Sequence, residues 1–265
     1  MRVFLKLRAG LARGNIKARK TPRNGERGNV LFYILIAVAL IAALSYAVSS
    51  TGRGGSTDIS AERANLAASE ILEYANVLSS ATTQLKLRGC SDIEVSFDNT
   101  ISGTDYSNTN APADNTCNVF HVAGGGVQYI DPEAEWLDND FNAEDYFGET
   151  LITATACVDQ IGSGTADCAA AGSGAAELIA VTGFIKEEIC ISLNRKLGVG
   201  TAGAAPPVDD GSAWPTSSTA YQGNYTGGTR IQDSGQILDG RKAACFEATT
   251  NPAGGFHFYK VLLAR

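Results

Sequence analysis

Six cysteines, two histidines and one dense run of carboxylates are the residues of this 265-residue chain whose types suit chemistry. The cysteines are Cys90, Cys117, Cys157, Cys168, Cys190 and Cys245. Their even number suits disulfides formed in an oxidising compartment, and six of them allow fifteen connectivities. Zinc is the rival reading, but the chain has no C-x-x-C pair and only His121 and His257 to assist. The carboxylates run from Asp131 to Glu149, and within them Asp138, Asp140, Asn142, Glu144 and Glu149 stand at positions 1, 3, 5, 7 and 12 of a calcium-binding loop. Ala143 occupies the sixth position, where that loop turns on Gly, and no flanking helices are evident. A solvated acidic loop is therefore the expectation, with calcium the one cofactor candidate. Catalytic signatures are missing: there is no G-x-S-x-G, H-E-x-x-H or Walker loop. Gly124-Gly125-Gly126 reads as a turn, because no Lys-Ser/Thr pair follows to hold a phosphate. A protein that is not an enzyme is expected.

The elements that position these residues are set by charge and hydropathy. Nine of the 21 Lys and Arg precede Gly28, opposed only by Glu26, so the remainder carries 12 basic against 27 acidic residues. Next comes Val30 to Val48, VLFYILIAVALIAALSYAV, with no charged residue. At about 1.5 Å per residue this run would cover roughly 28 Å, near the ~30 Å hydrocarbon thickness of a bilayer. A basic flank stays on the cytoplasmic side, which would send the acidic remainder outward. That acidity disfavours a nucleic-acid partner. A cleaved secretory signal is the alternative, since Ser45-Tyr46-Ala47 has a small-x-small pattern, although the apolar run exceeds the usual 7 to 15 residues.

Gly25-Glu26-Arg27-Gly28-Asn29-Val30-Leu31-Phe32 sets a Gly between a charged leader and an apolar helix. The arrangement resembles a type IV prepilin. The resemblance implies processing by a prepilin peptidase between Gly28 and Asn29, a mature chain starting at Asn29, and assembly with other pilin-like subunits through the N-terminal helix. Major pilins usually have Phe or Met first and Glu fifth in the mature chain, where this sequence has Asn29 and Tyr33. The departure points to a minor or divergent subunit. A pilin-like fold further implies a long N-terminal helix with a lipid-buried first half and an amphipathic second half. Among the connectivities, sequential pairs are favoured: Cys90 with Cys117, Cys157 with Cys168, and Cys190 with Cys245, the last clamping the C-terminal region as many pilins do.

Beyond the apolar run, Gly52, Gly54 and Gly55 predict a break, and Asp58 is placed to cap a new helix. Ala67, Ile71, Tyr74, Leu78, Ala81 and Leu85 alternate steps of four and three, which predicts an amphipathic helix from about Ile59 to Leu87, stopped by Gly89. After Cys90, β-prone stretches lie at Ile93 to Phe97, Val119 to Val122, Leu178 to Ile185 and Phe256 to Leu263. Ile189, Leu193 and Leu197 suggest a short helix within Ile185 to Leu197, and Gly198 to Gly228 reads as a long loop. The expected organisation is a basic cytoplasmic leader over 1–28, a transmembrane helix over 29–50, a Gly-rich break and amphipathic helix over 51–89, and an acidic, β-rich extracytoplasmic domain over 90–265. The fold class is α+β, a long N-terminal helix, half membrane and half amphipathic, packed on a disulfide-bearing domain. The expected function is that of a pilin-like structural subunit of a type IV pilus-like filament or secretion pseudopilus, resident in the inner membrane before assembly. An uncleaved, signal-anchored binding or scaffold protein is the alternative.

Overall fold

The computed structural model describes residues 29–162, 176–210, 219–226, 229–250 and 252–265, and within the first helix the side-chain surroundings of 32–43 and 60–87. The chain divides into two compact units, 1–55 and 56–265. Helix α1, Asn29–Leu87, is a single 59-residue element. The predicted break is therefore absent: the helix runs through Gly52, Gly54 and Gly55. Glycine costs a helix roughly 0.5–1 kcal/mol each but does not forbid it, and the good formers on either side carry the helix across.

The membrane-spanning half of the expected fold is also corrected. Among the described residues, no helix is long and apolar enough to cross a membrane.

In the second unit, α1 presents one stripe to the sheet. Ala64, Ala67, Ala68, Ile71, Ala75, Leu78, Ala81 and Leu85 are all buried, and Tyr74 is half-buried. The spacing read from the sequence is the spacing that packs. Five of those eight are alanines, so the helix backbone comes close to what it covers. The helix ends at Leu87, and Gly89 follows at φ +104°, a left-handed conformation that glycine adopts without a Cβ penalty.

The sheet has five strands in the order β1-β3-β7-β6-β4: β1 Thr150–Thr153, β3 Leu178–Ile185, β4 Val208–Asp209, β6 Ala243–Ala248 and β7 Phe256–Leu263. Its pairs are antiparallel except β4 with β6. A second, parallel pair joins β2, Ala156–Val158, to β5, Thr229–Ile231. Alternation along the strands builds two cores. Leu178, Ala180, Ile152 and Leu262 pack with Leu78, Ala81 and Leu85 of α1, while Ile179, Val181, Leu151, Tyr259 and Val261 pack with Val158 and Ile231 of the small sheet. The five-stranded sheet is thus the middle layer, covered by α1 on one face and by β2 and β5 on the other. All eight residues of β3 are buried, as expected of a strand covered on both faces.

Helix α2, Glu187–Leu197, joins α1 on its face of the sheet through Ile189 and Leu193. Glu187 and Glu188 in its first turn and Arg195 and Lys196 in its last complement the helix dipole, and Gly198 in the left-handed conformation closes it. Asn194 fixes the helix to β6: its amide donates to the Cys245 carbonyl at 2.7 Å and accepts from the Cys245 N–H at 2.9 Å. The free side of β1 is closed by tyrosines. Tyr106 hydroxyl donates to Thr150 O and accepts from Ile152 N, and Tyr129 hydroxyl accepts from Thr150 N. These bonds take the place of a neighbouring strand at an otherwise open edge.

Two expected disulfides are present. Cys90–Cys117 has Cα atoms 5.9 Å apart and Cys190–Cys245 5.4 Å apart. Cys157 is also disulfide-bonded, and Cys168, its expected partner, lies outside the described residues. Ile93 to Phe97 and Val119 to Val122 form no strands: they meet in a single bridge, Ser96 to Asn118, beside the Cys90–Cys117 link. The expected long loop from Gly198 holds β4, and Ala220 bridges Thr153. Chain-entropy reasoning gives each link a stability contribution that grows with the loop it closes, 27 and 55 residues here. Paired replacement Cys190→Ala/Cys245→Ala should cost about 4 kcal/mol and Cys90→Ala/Cys117→Ala about 3.5 kcal/mol in urea unfolding without reductant.

Candidate functional site

Phe32, Tyr33, Ile34, Leu35, Ile36, Val38, Leu40 and Ile41 are exposed on the first unit's part of α1, from 41% to 65% of their surface. Five of them are consecutive, and at about 100° per residue they point in every direction around the helix. Covering a large apolar side chain is worth roughly 1.5–3 kcal/mol, so eight of them in water represent on the order of 10 kcal/mol of unfavourable hydration. The first turn contains no acidic residue. Asn29 opens this helix, while Gly28, the other half of the expected cleavage site, lies outside the described residues. These side chains make one contiguous apolar surface on the helix.

The acidic run is distributed. Asp138 stands before a single 310 turn, Asn139–Phe141, and its Oδ1 accepts from Asp140 N at 3.1 Å, while Asn142 ends the same turn. Asp138 N donates to Phe184 O, tying the turn to the bulge in β3. Glu149 turns elsewhere, its Oε2 accepting from Thr104 Oγ1 at 2.6 Å and Ser102 Oγ at 3.2 Å. Glu144 N donates to Phe141 O, extending the turn. Among the described residues, no group of three or more His, Cys, Asp or Glu is placed to hold a metal ion. The sequence register of a calcium loop is thus spent on local turn bonds and on a distant serine–threonine loop.

The glycine triplet makes the expected turn. Gly124 N and Gly126 N donate to His121 O, and Gly125 N donates to Asn118 O. A Cβ on Gly124 would stand 2.0 Å from Asn118 O, so only glycine fits.

A buried polar network that sequence reasoning missed lies beneath the small sheet. Arg230 on β5 donates through Nε to both carboxylate oxygens of Asp159 at 2.7 and 2.9 Å, and through Nη2 as well. Glu177 is wholly buried beside them; its Oε2 accepts from Val158 N at 2.9 Å, and its Oε1 has no hydrogen-bond partner among the described residues. Burial, with the Asp159 charge adding to it, pushes the Glu177 carboxyl up to about 7, against the Val158 N–H that favours its ionised form. Positions 159, 177 and 230 are too far apart in sequence to advertise a cluster. Glu177 has no exposed surface among the described residues, and the shift bears on folding stability. His257 is likewise sealed: its Nδ1 accepts from Phe184 N at 3.4 Å, burial lowers it to about 3, and its ring lies edge-on to Phe184 at 4.9 Å. Neutral throughout the physiological range, it is a core residue.

Comparison with known protein families, curated proteins and solved structures finds no match to this chain.

Glu177 has a signed pH dependence. Its carboxyl is ordinarily ionised above about 4.5 but holds its proton to about 7 in the fold, so the destabilisation is absent below pH 4.5, grows to pH 7 and is constant above. Glu177→Gln keeps the acceptor for Val158 N and removes the ionisation. It should raise Tm by roughly 5 °C at pH 8 and leave it unchanged at pH 4, read by differential scanning calorimetry.

Proposed function

We propose that this protein is a pilin-like structural subunit, minor or divergent in type, of an envelope filament or secretion pseudopilus. The observation that carries this reading is the run of exposed apolar side chains from Phe32 to Ile41 on a helix whose other end is packed into a folded unit. Such a helix is stable in water only when covered, and copies of itself offer matching apolar surface at every turn. The leader junction at Gly28 and the acidic, disulfide-bearing unit suit a subunit that is processed and then displayed on the oxidising side of an envelope. The work of such a subunit is mechanical: helices associate and the folded units line the outside, giving contacts to neighbours and surfaces.

Two experiments test it. Intact-mass analysis of the protein from its native host is expected to find the chain starting at Asn29, and a preparation dominated by the full leader from Met1 would instead favour an uncleaved binding or scaffold protein. Ile34→Asp/Val38→Asp places two charges on the apolar run. It is expected to abolish association of copies while leaving the Tm of the folded unit within about 1 °C, because those side chains contribute nothing to its core.

A further inference from the structure

The segment Ile130 to Trp136 lies back over α1 and closes a cavity of about 250 Å3. Tyr74, Ile71 and Trp136 line it, and Glu70, Asp131 and Glu133 stand exposed around it. The Tyr74 hydroxyl accepts from Ile130 N at 3.0 Å, so the tyrosine offers the cavity its ring rather than a free hydroxyl. None of the three carboxylates is in an ion pair among the described residues. Arg63 and Lys186 line an adjoining hollow, where Glu70 and Glu133 are joined by Glu135 and Glu188, so negative charge is in excess. Lys186 donates to the Glu135 carbonyl at 2.6 Å. Aromatic rings, an apolar wall and a surplus of carboxylates make a receptor for an ammonium on an apolar stem. The volume is small for a cofactor and suits one extended side chain.

The matching group is on the same chain. Lys242 is exposed just before β6; Lys260 on β7 is held below the usual lysine range by burial first and by the Lys242 charge second. Neither lysine is in an ion pair among the described residues. Lys242 cannot serve its own cavity. Thr182 lines the cavity from β3 opposite Phe258, whereas Lys242 lies two strands away beside Val261, roughly 14 Å between Cα atoms.

We infer that Lys242 of one copy docks in the cavity formed by Tyr74, Trp136, Glu70, Asp131 and Glu133 of the next. The two surfaces are different patches of one chain, so the contact is head-to-tail and extends indefinitely unless its rotation closes a ring. The inference rests on the filament reading above and adds to it a contact between folded units, independent of the apolar helix.

The test uses full-length protein, with Glu133→Lys and Lys242→Glu prepared separately. Each variant alone sets like charges against each other and is expected to associate roughly tenfold more weakly than the parent. An equimolar mixture of the two is expected to recover parental association, because alternating copies restore opposite charges at every contact. Carbodiimide coupling of 15N-labelled with unlabelled parent should give mixed-isotope peptides joining Lys242 to Glu70, Asp131 or Glu133. Variants that associate like the parent, a mixture no better than its components, or couplings that omit Lys242 overturn this contact while leaving the filament reading standing. Parent copies that do not associate at all overturn both.

Discussion

The contact between the alanine-rich stripe of α1 and the five-stranded sheet is the one on which the rest of the molecule depends. Ala68, Leu78 and Leu85 have no exposed surface there, and Leu78 and Leu85 meet Ile152, Leu178 and Ala180 of β1 and β3. Once that face is covered by α1, α2 has room only beside it, and the opposite face needs the small β2–β5 pair to close it. The disulfides then fix what packing alone leaves loose. One ties the segment after α1 to its own return at Cys117; the other ties α2 to β6. Neither link creates the architecture, since both join elements already held by buried apolar contacts.

The same helix carries two unlike surfaces, and this contrast gives the protein its proposed role. Its later turns alternate buried alanine and leucine with exposed polar residues, the pattern of a helix satisfied by its own chain. Between Phe32 and Ile41 there is no polar face at all. A helix apolar all round and exposed all round is unstable alone in water, and the free energy that would bury it is the driving force available for assembly. The folded unit gains nothing from those side chains, which is why assembly and folding should respond to separate substitutions.

Much of this was legible in the sequence where burial writes a long signal. Leu178 to Ile185 and Phe256 to Leu263 match β3 and β7 because each is eight residues long and rich in the aromatic and β-branched side chains that a central strand buries. The stripe from Ala67 to Leu85 and the short helix at Ile189 and Leu193 were legible by period. β1, β2, β4 and β5 were not, being two to four residues long and below any alternation signal. Ile93 to Phe97 has strand-forming residues but no room for a ladder beside the Cys90–Cys117 link. The expected break at Gly52 fails because local propensity is a weak term beside a helix already propagating. The expected membrane span is corrected, since no helix among the described residues is long and apolar enough to cross a membrane. The carboxylate spacing from Asp138 to Glu149 leaves a ligand set undecided in sequence, because ligand register is meaningful only when the backbone curls around a point; here Asp138 bonds within a 310 turn and Glu149 bonds to Ser102 and Thr104. The Glu177, Asp159 and Arg230 network was invisible because tertiary structure alone brings those positions together.

The central claim is that the apolar start of α1 is covered by the same element of other copies. A nitroxide at Leu40 in the full-length protein, introduced through Leu40→Cys, reports this by dipolar spectroscopy on frozen assemblies. Strong coupling between copies is expected, at separations on the order of the ~10 Å spacing of packed helices plus the label's reach, and it should be lost on dilution with unlabelled protein. Labels that show no coupling in assemblies shown to contain many copies would contradict it.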